Sequence, residues 1–105
     1  MDRRTQERFK TRARLLKALA HPSRLFIVDV LSQGERGVSE LADMVGADIS
    51  TVSKHLAVLK GAGILRDEKR GSQVFYSLDL PCIVNFFSCV EAAICERAKR
   101  CQSAV

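Results

Sequence analysis

The sequence predicts a single, mainly α-helical domain that carries one small β-hairpin. Its 105 residues are enough for one domain and too few for two. Apolar residues recur with the helical period through most of the chain, and the period changes to alternation only near residues 64–78. The chain has no internal repeat and no low-complexity segment, so we expect residues 1–105 to form one folding unit.

Two helices are predicted in the first third of the chain. In the first helix, within residues 1–20, Phe9 and Leu16 lie on one apolar stripe. This helix ends near His21, because the residue before a proline disfavours helical geometry. Pro22 suits the first turn of a second helix, which we expect over residues 22–32. The second helix is rich in apolar side chains and is expected to be buried through Leu25, Ile27, Val28, Val30 and Leu31.

Two short helices separated by a tight turn are predicted within residues 39–62. Ser39 is expected to cap the first, over residues 40–45, and Gly46 to end it. Asp48 is expected to cap the second. Such a pair, joined by a glycine-containing turn, is a helix-turn-helix. The apolar stripe of its second helix consists of Ile49, Val52, Leu56 and Leu59.

A hairpin and a long helix complete the chain. Two alternating segments within residues 64–78 flank a basic, glycine-containing tip at residues 69–72. Asp79 and Pro81 mark the start of a final helix over residues 80–101. The order is therefore helix, helix, helix-turn-helix, hairpin, helix. This order predicts a winged helix-turn-helix with an extra helix at each end.

The second helix of the helix-turn-helix predicts a contact with DNA. A recognition helix presents its N-terminal end to the major groove, where hydroxyls bond phosphates and base edges and a lysine supplies charge. Lys69 and Arg70 at the hairpin tip are expected to reach an adjacent backbone or minor groove, and Lys60 to add a phosphate contact. The candidate contacts in the first two turns are Ser50, Thr51, Ser53, Lys54 and His55.

The charge of the chain is unevenly distributed. The net charge is +5, and residues 1–17 hold seven Arg or Lys residues against Asp2 and Glu7. A basic segment on a neutral body favours an anionic partner such as nucleic acid, and a solvated helix face is the alternative interpretation.

The sequence also disfavours several classes of protein. No segment is apolar enough to span a membrane, and the charged N-terminus is unlike a signal peptide, so we expect a cytoplasmic protein. No nucleophile–base pair, phosphate-binding loop or histidine-rich metal site is visible, so we do not expect an enzyme.

All four cysteines fall within the predicted final helix. In the cytoplasm they are expected to be reduced. Neighbouring cysteines are six or seven residues apart, which is about 9–10 Å along a helix axis and too far for a disulfide or a shared ion within one intact helix. A shared site must therefore join two subunits or require a break in the helix, and the alternative is that these thiols fill a core. The four are Cys82, Cys89, Cys95 and Cys101.

Cys82 and Cys89 are the first pair to consider for a reactive or metal-binding site. They lie on the same edge of the predicted helix. Cys82 also falls in its predicted first turn, where the helix macrodipole favours the thiolate form.

Four segments carry a resemblance to a known family. They are LAHPSRL, VSELA, STVSKHLAVLKGAGIL and RGSQVFYSL, all within residues 16–78. Together they resemble the ArsR/SmtB family of bacterial transcriptional repressors. The resemblance implies a homodimer whose first and last helices form the interface. It also implies a palindromic double-stranded DNA operator, released when a metal ion, a metalloid or a thiol modification alters the dimer.

The chain departs from the best-known sensors of that family. The arsenite sensors of the family carry Cys-x-Cys on the first helix of the helix-turn-helix, but residues 39–45 hold no cysteine here. The zinc or nickel sensors carry histidines on the terminal helix, but residues 80–105 hold no histidine. The inducers that the four cysteines could still sense are a soft metal or metalloid such as As(III), or a redox or sulfur species. No cofactor is required. The alternatives are an effector-independent regulator and a protein-interaction module with structural cysteines. The expected dimer contacts are Phe9, Leu16, Phe86, Phe87, Val90 and Ile94.

Overall fold

The computed structural model describes the backbone of residues 1–103 and the side chains of residues 1–100. Within that range the order of elements is the predicted winged helix-turn-helix with a helix added at each end. The helices are α1 (Arg3–Leu19), α2 (Pro22–Leu31), α3 (Val38–Val45), α4 (Ile49–Gly61) and α5 (Ile83–Ser103). The strands are β1 (Arg36–Gly37), β2 (Leu65–Arg70) and β3 (Gln73–Leu78).

The break between α1 and α2 follows the local chemistry of the chain. The first helix ends at Leu19, and Pro22 occupies the first turn of the second. His21 caps α2, because its Nδ1 accepts the N–H of Ser23 at 3.1 Å. Apolar periodicity did not indicate the start of α1, which is fixed instead by a polar cap: the Asp2 carboxylate accepts the N–H of Thr5 at 2.7 Å.

The turn of the helix-turn-helix forms where it was predicted, and one cap differs. Gly46 ends α3 with a left-handed φ of 78°, and Asp48 caps α4 by accepting the N–H of Thr51 at 2.8 Å. The prediction that Ser39 caps α3 is wrong. The helix begins at Val38, directly after β1, and Gly37 holds the cap position without a side-chain hydrogen bond.

The hairpin formed by β2 and β3, residues 65–78, is called the wing from here on. Its turn consists of Gly71 and Ser72, with Gly71 at a φ of 65° as the first position of a type II′ turn favours. Lys69 and Arg70, predicted to lie in the tip, are instead the last residues of β2, with Arg70 opposite Gln73.

A short strand that the sequence did not predict extends this sheet. The strand β1 pairs antiparallel with β3, so that Arg36 lies opposite Tyr76 and Gly37 opposite Phe75. The strand order is therefore β1-β3-β2. This pairing ties the wing to the segment between α2 and α3.

The core lies where α2, α3 and α4 meet the start of β2. Two residues predicted to be buried are not: Ile49 is 54% exposed and Leu25 is 41% exposed. Periodicity gives the direction of a side chain and does not show whether another element covers it. The largest fully buried side chains are Ile27, Val28, Leu41, Val52, Leu56, Leu59 and Ile64.

The two terminal helices contribute little to this core. Among the described side chains, α5 buries only Ile83, and α1 buries only Ala18 and Leu19. The final helix begins at Ile83 and not at residue 80, because residues 80–82 form a turn in which the Leu80 carbonyl accepts the N–H of Ile83 at 3.1 Å. The remainder of both helices is left with exposed apolar faces.

Candidate nucleic-acid interface

The helix α4 is anchored by one face and exposes the other. Val52, Leu56 and Leu59 are fully buried and hold the helix against the core. The side chains that the sequence assigns to DNA, with the exception of His55, lie on the exposed face. They are Ser50, Thr51, Ser53, Lys54 and Lys60.

The N-terminal end of α4 is organised by Asp48. Its Oδ1 accepts the N–H of Thr51 at 2.8 Å and the hydroxyl of Ser50 at 3.2 Å. The hydrogen bonds from Thr51, and then that from Ser50, hold the pKa of the Asp48 carboxyl below its ordinary value. The hydroxyl of Ser50 is thus already oriented, and Ser53 and Lys54 project from the next turn.

Lys54 and Lys60 differ in what surrounds their charges. Within the described residues Lys54 has no ion-pair partner. Lys60, at the far end of α4, lies 2.9 Å from the Asp67 carboxylate of β2, and this hydrogen bond raises the pKa of its ammonium group. Lys54 is therefore the cation of α4 without a direct ion pair, although its charge also acts on the Asp48 carboxylate at longer range.

His55 faces the protein and not the solvent-exposed side of α4. Its ring lies 4.5 Å from that of His21, centroid to centroid, and its Nδ1 accepts the Nε–H of Arg24 at 3.2 Å. Arg24 also donates to the Ala18 carbonyl at 3.4 Å. Through these contacts His55 helps to fix α4 against α2.

Acidification is expected to destabilise this contact. Burial, followed by the charges of His21 and Arg24, lowers the pKa of His55 from its ordinary value of 6.5. The unfolded chain therefore binds more protons below that pH, so stability that is complete above it is lost as the pH falls through the folded-state pKa. Thermal unfolding over a pH series measures the loss, which should shrink in His55→Gln. An equal loss in wild type and variant would contradict this role of His55.

The two basic residues of the wing also have different surroundings. Within the described residues Lys69 is exposed and has no ion-pair partner. Arg70 is paired with Glu35 and Glu68, and its guanidinium lies 4.9 Å from the centre of the Phe75 ring. The sequence did not identify Glu35, because it precedes its partner by 35 residues and lies in a loop.

A second surface lies on the terminal helices. Of the predicted dimer contacts, Phe87 alone is half-buried and packs on the core. The others are between 41% and 57% exposed: Phe9, Leu16, Phe86, Val90 and Ile94. Leu25 and Phe26 of α2, also exposed, line an open apolar groove together with α5.

Three cysteines are described, and all are free, exposed thiols: Cys82, Cys89 and Cys95. Cys82 lies in the turn before α5, so its predicted place in the first turn of the helix is wrong. Cys95 is at the side of the groove between α2 and α5. The side chain of Cys101 lies outside the described residues. Among the described residues, no three His, Cys, Asp or Glu side chains are grouped so that they could hold a metal ion.

Comparison with known proteins identifies relatives of this fold. The family model described as "Bacterial regulatory protein, arsR family" matches residues 21–67. An uncharacterized HTH-type transcriptional regulator of Mycobacterium tuberculosis is 35% identical over 81 residues, covering 76% of this chain and 71% of that protein. The biofilm growth-associated repressor of Xylella fastidiosa is 42% identical over 66 residues, covering 63% of this chain and 58% of that protein.

A solved structure is similar over nearly the whole chain. It is the homodimeric winged helix-turn-helix DNA-binding domain, a fragment, of a Mycobacterium bovis protein, with a TM-score of 0.83 and 30% identity over 95% of this chain and 93% of that one. This chain spans only 35% to 58% of the length of three curated relatives that it matches. Among residues 1–103, no helix combines the length and apolar character needed to cross a membrane.

Proposed function

Since this chain belongs to the arsR family of bacterial regulatory proteins, we propose that it is a transcriptional repressor that binds an operator in double-stranded DNA as a homodimer. The observation that carries the proposal is the exposed face of α4. Three fully buried side chains hold that helix in place, and Ser53 and Lys54 project from its N-terminal half beside the ordered hydroxyl of Ser50. Hydroxyls and a free cation at the N-terminal end of a recognition helix suit phosphates and base edges.

The charge distribution supports the same proposal. Lys54 and Lys69 are exposed, and neither has an ion-pair partner in the described part of the chain. Two subunits would bring four such cations to one duplex. Each neutralised phosphate releases counterions, so affinity should fall steeply with salt.

A titration of the protein's own upstream DNA over a salt series tests the proposal. The expected plot of log affinity against log salt has a slope steeper than about −3, from four lysine contacts at about −0.9 each. The expected stoichiometry is two chains per duplex. A flat salt dependence, or saturation at one chain per duplex, would contradict the proposed mode of binding.

The homodimer is proposed to form through α1 and α5. Their apolar side chains are half-exposed in the single chain, and small domains rarely leave large contiguous apolar patches in water. Phe9 of α1 lies between Arg8 and Arg12, whose guanidinium carbons are 5.8 Å and 5.0 Å from the centre of its ring. Burial of these faces between subunits would fix the separation of the two α4 helices, and an operator with two half-sites requires a fixed separation.

The cysteines of the C-terminal segment are proposed to bind or react with the inducer. Support comes from the exposure of Cys82, Cys89 and Cys95 as free thiols on or beside the helix of the proposed dimer interface, where a modification would alter the arrangement of the subunits. Within α5 the spacing of the cysteines forbids a shared site in one intact helix, so a soft metal or metalloid such as As(III) bound by two of them would bridge subunits or require a break in the helix. Cys82 and Cys89 remain the first pair to test, and an oxidant or sulfur species needs only one thiol.

Replacement of all four cysteines by serine is therefore expected to abolish inducer-dependent release of DNA. The wild type should release its operator when treated with arsenite, polysulfide or peroxide, and single variants at positions 82, 89, 95 and 101 should identify the thiols required. Anisotropy of a labelled operator measures release, and affinity without inducer serves as the control. If the all-serine variant responds like wild type, or if wild type does not respond, the proposed sensing is wrong and an effector-independent regulator is favoured.

A further inference from the structure

We propose that Glu35 is a positioning residue for the wing, and that it acts by holding Arg70. In this arrangement Arg70 is a structural residue, and Lys69 is the cation that the wing offers to DNA. The role of Lys69 rests on the proposed DNA-binding function. The positioning role of Glu35 does not.

The contacts of Arg70 join three separate parts of the chain. Nη1 and Nη2 donate to the two carboxylate oxygens of Glu35 at 2.5 Å and 3.0 Å, and Nη2 also donates to Glu68 at 3.0 Å. The guanidinium lies 4.9 Å from the centre of the Phe75 ring on the neighbouring strand. A two-bond pairing of arginine with a carboxylate fixes direction as well as distance. The loop before β1 is thereby joined to the end of β2.

Little else holds this end of the wing in place. Every residue from Arg66 to Gln73 is exposed, so the outer half of the hairpin has no buried side chain. The strand β1 pairs with β3 only at Tyr76 and Phe75, which leaves residues 70–74 with no strand neighbour beyond the hairpin itself. Lys60 of α4 holds the wing at Asp67, nearer its base, and among the described ion pairs the Glu35–Arg70 pair is the one that joins the outer end of the hairpin to the loop before β1.

The local charge also argues against Arg70 as the phosphate contact. Two carboxylates surround one guanidinium, so the group carries a net charge of −1 and repels a phosphate. Lys69 has no ion-pair partner among the described residues, and side chains alternate along a strand, so it points to the face opposite Arg70. Phosphate can therefore approach Lys69 without competing with Glu35 or Glu68.

The first test uses the free protein and needs no DNA. Amide hydrogen exchange at Gln73 and Val74 should be faster in Glu35→Gln and in Arg70→Gln, because each variant removes the same restraint. Glu40→Gln is the matched control, since it neutralises a nearby carboxylate that pairs with Arg36 at 3.4 Å and does not contact Arg70. Exchange that is unchanged in Glu35→Gln, or equally faster in Glu40→Gln, would overturn the positioning role.

The second test is operator affinity. A positioning role of Glu35 and a purely electrostatic role predict opposite changes in the affinity of Glu35→Gln for DNA. Loss of a negative charge alone should tighten DNA binding, and we expect this for Glu40→Gln. Positioning by Glu35 predicts that Glu35→Gln binds several-fold more weakly, and that the double variant with Arg70→Gln is no weaker than either single one. The alternative is that Arg70 contacts phosphate and that Glu35 competes with the phosphate for it. In that case Glu35→Gln should bind DNA more tightly, and the salt slope should fall by about two in Arg70→Gln. If wild type shows no preference for its operator, the proposed function fails and the exchange test still decides on Glu35.

Discussion

Replacement of Val90 by glutamate is expected to convert the dimer into monomers and to weaken operator binding by about 100-fold or more. Val90 is 41% exposed in the single chain and lies between Phe86 and Ile94 on one face of α5. A carboxylate at this point would have to lose its water without gaining a partner when a second subunit covers the face. A monomer holds one half-site at a time and loses the gain in effective concentration from a linked second site.

A matched variant separates this effect from a general effect of charge on α5. Asn85→Glu adds the same charge five residues away, which is about 140° around the helix from Val90. It should remain dimeric and bind DNA nearly as wild type does. Analytical ultracentrifugation and operator titration measure both properties. A Val90→Glu protein that is still dimeric at micromolar concentration would show that α5 does not form the interface.

Replacement of Lys54 by alanine is expected to weaken operator binding by about tenfold to 100-fold without disturbing the dimer. The ammonium group is exposed on the N-terminal half of α4 and is unpaired within the described chain. Each subunit contributes one such lysine, so two phosphate contacts are lost and the salt slope should fall by about two.

Lys60→Ala is the control for that substitution, because it removes the same side chain from the other end of α4. The ammonium group of Lys60 is already paired with Asp67 at 2.9 Å, so its loss should have a small effect on DNA affinity. Equal effects of the two substitutions, or a Lys54→Ala protein that binds as wild type does, would contradict the assignment of the N-terminal half of α4 as the recognition surface.

Local chemistry explains which elements could be predicted from the sequence. Pro22, Gly46 and Asp48 act through their own backbone or through residues three positions away, and the structure places their breaks and caps as predicted. The strand β1 could not be predicted, because two residues carry no periodicity and its partner Tyr76 lies 40 positions further along the chain.

In the candidate site, too, features set by local sequence could be predicted and features set by distant residues could not. The exposure of Ser53 and Lys54 follows from the helical period and from the buried stripe of α4. The surroundings of His55 and Arg70 depend on His21, Arg24 and Glu35, which are distant in the sequence. Residue types alone therefore identified cations and an imidazole. Only the fold shows which of them are already engaged by other groups.

Sequence-specific repression is tested most directly by binding to the protein's own upstream DNA, compared with a scrambled duplex of the same length and composition. The two titrations are carried out at the same physiological salt concentration, because affinities at different salt cannot be compared. A repressor of this kind is expected to bind the upstream DNA about 10³-fold more tightly, or more. Equal affinities would contradict a sequence-specific repressor and would favour a winged-helix module whose basic α1 binds acidic partners.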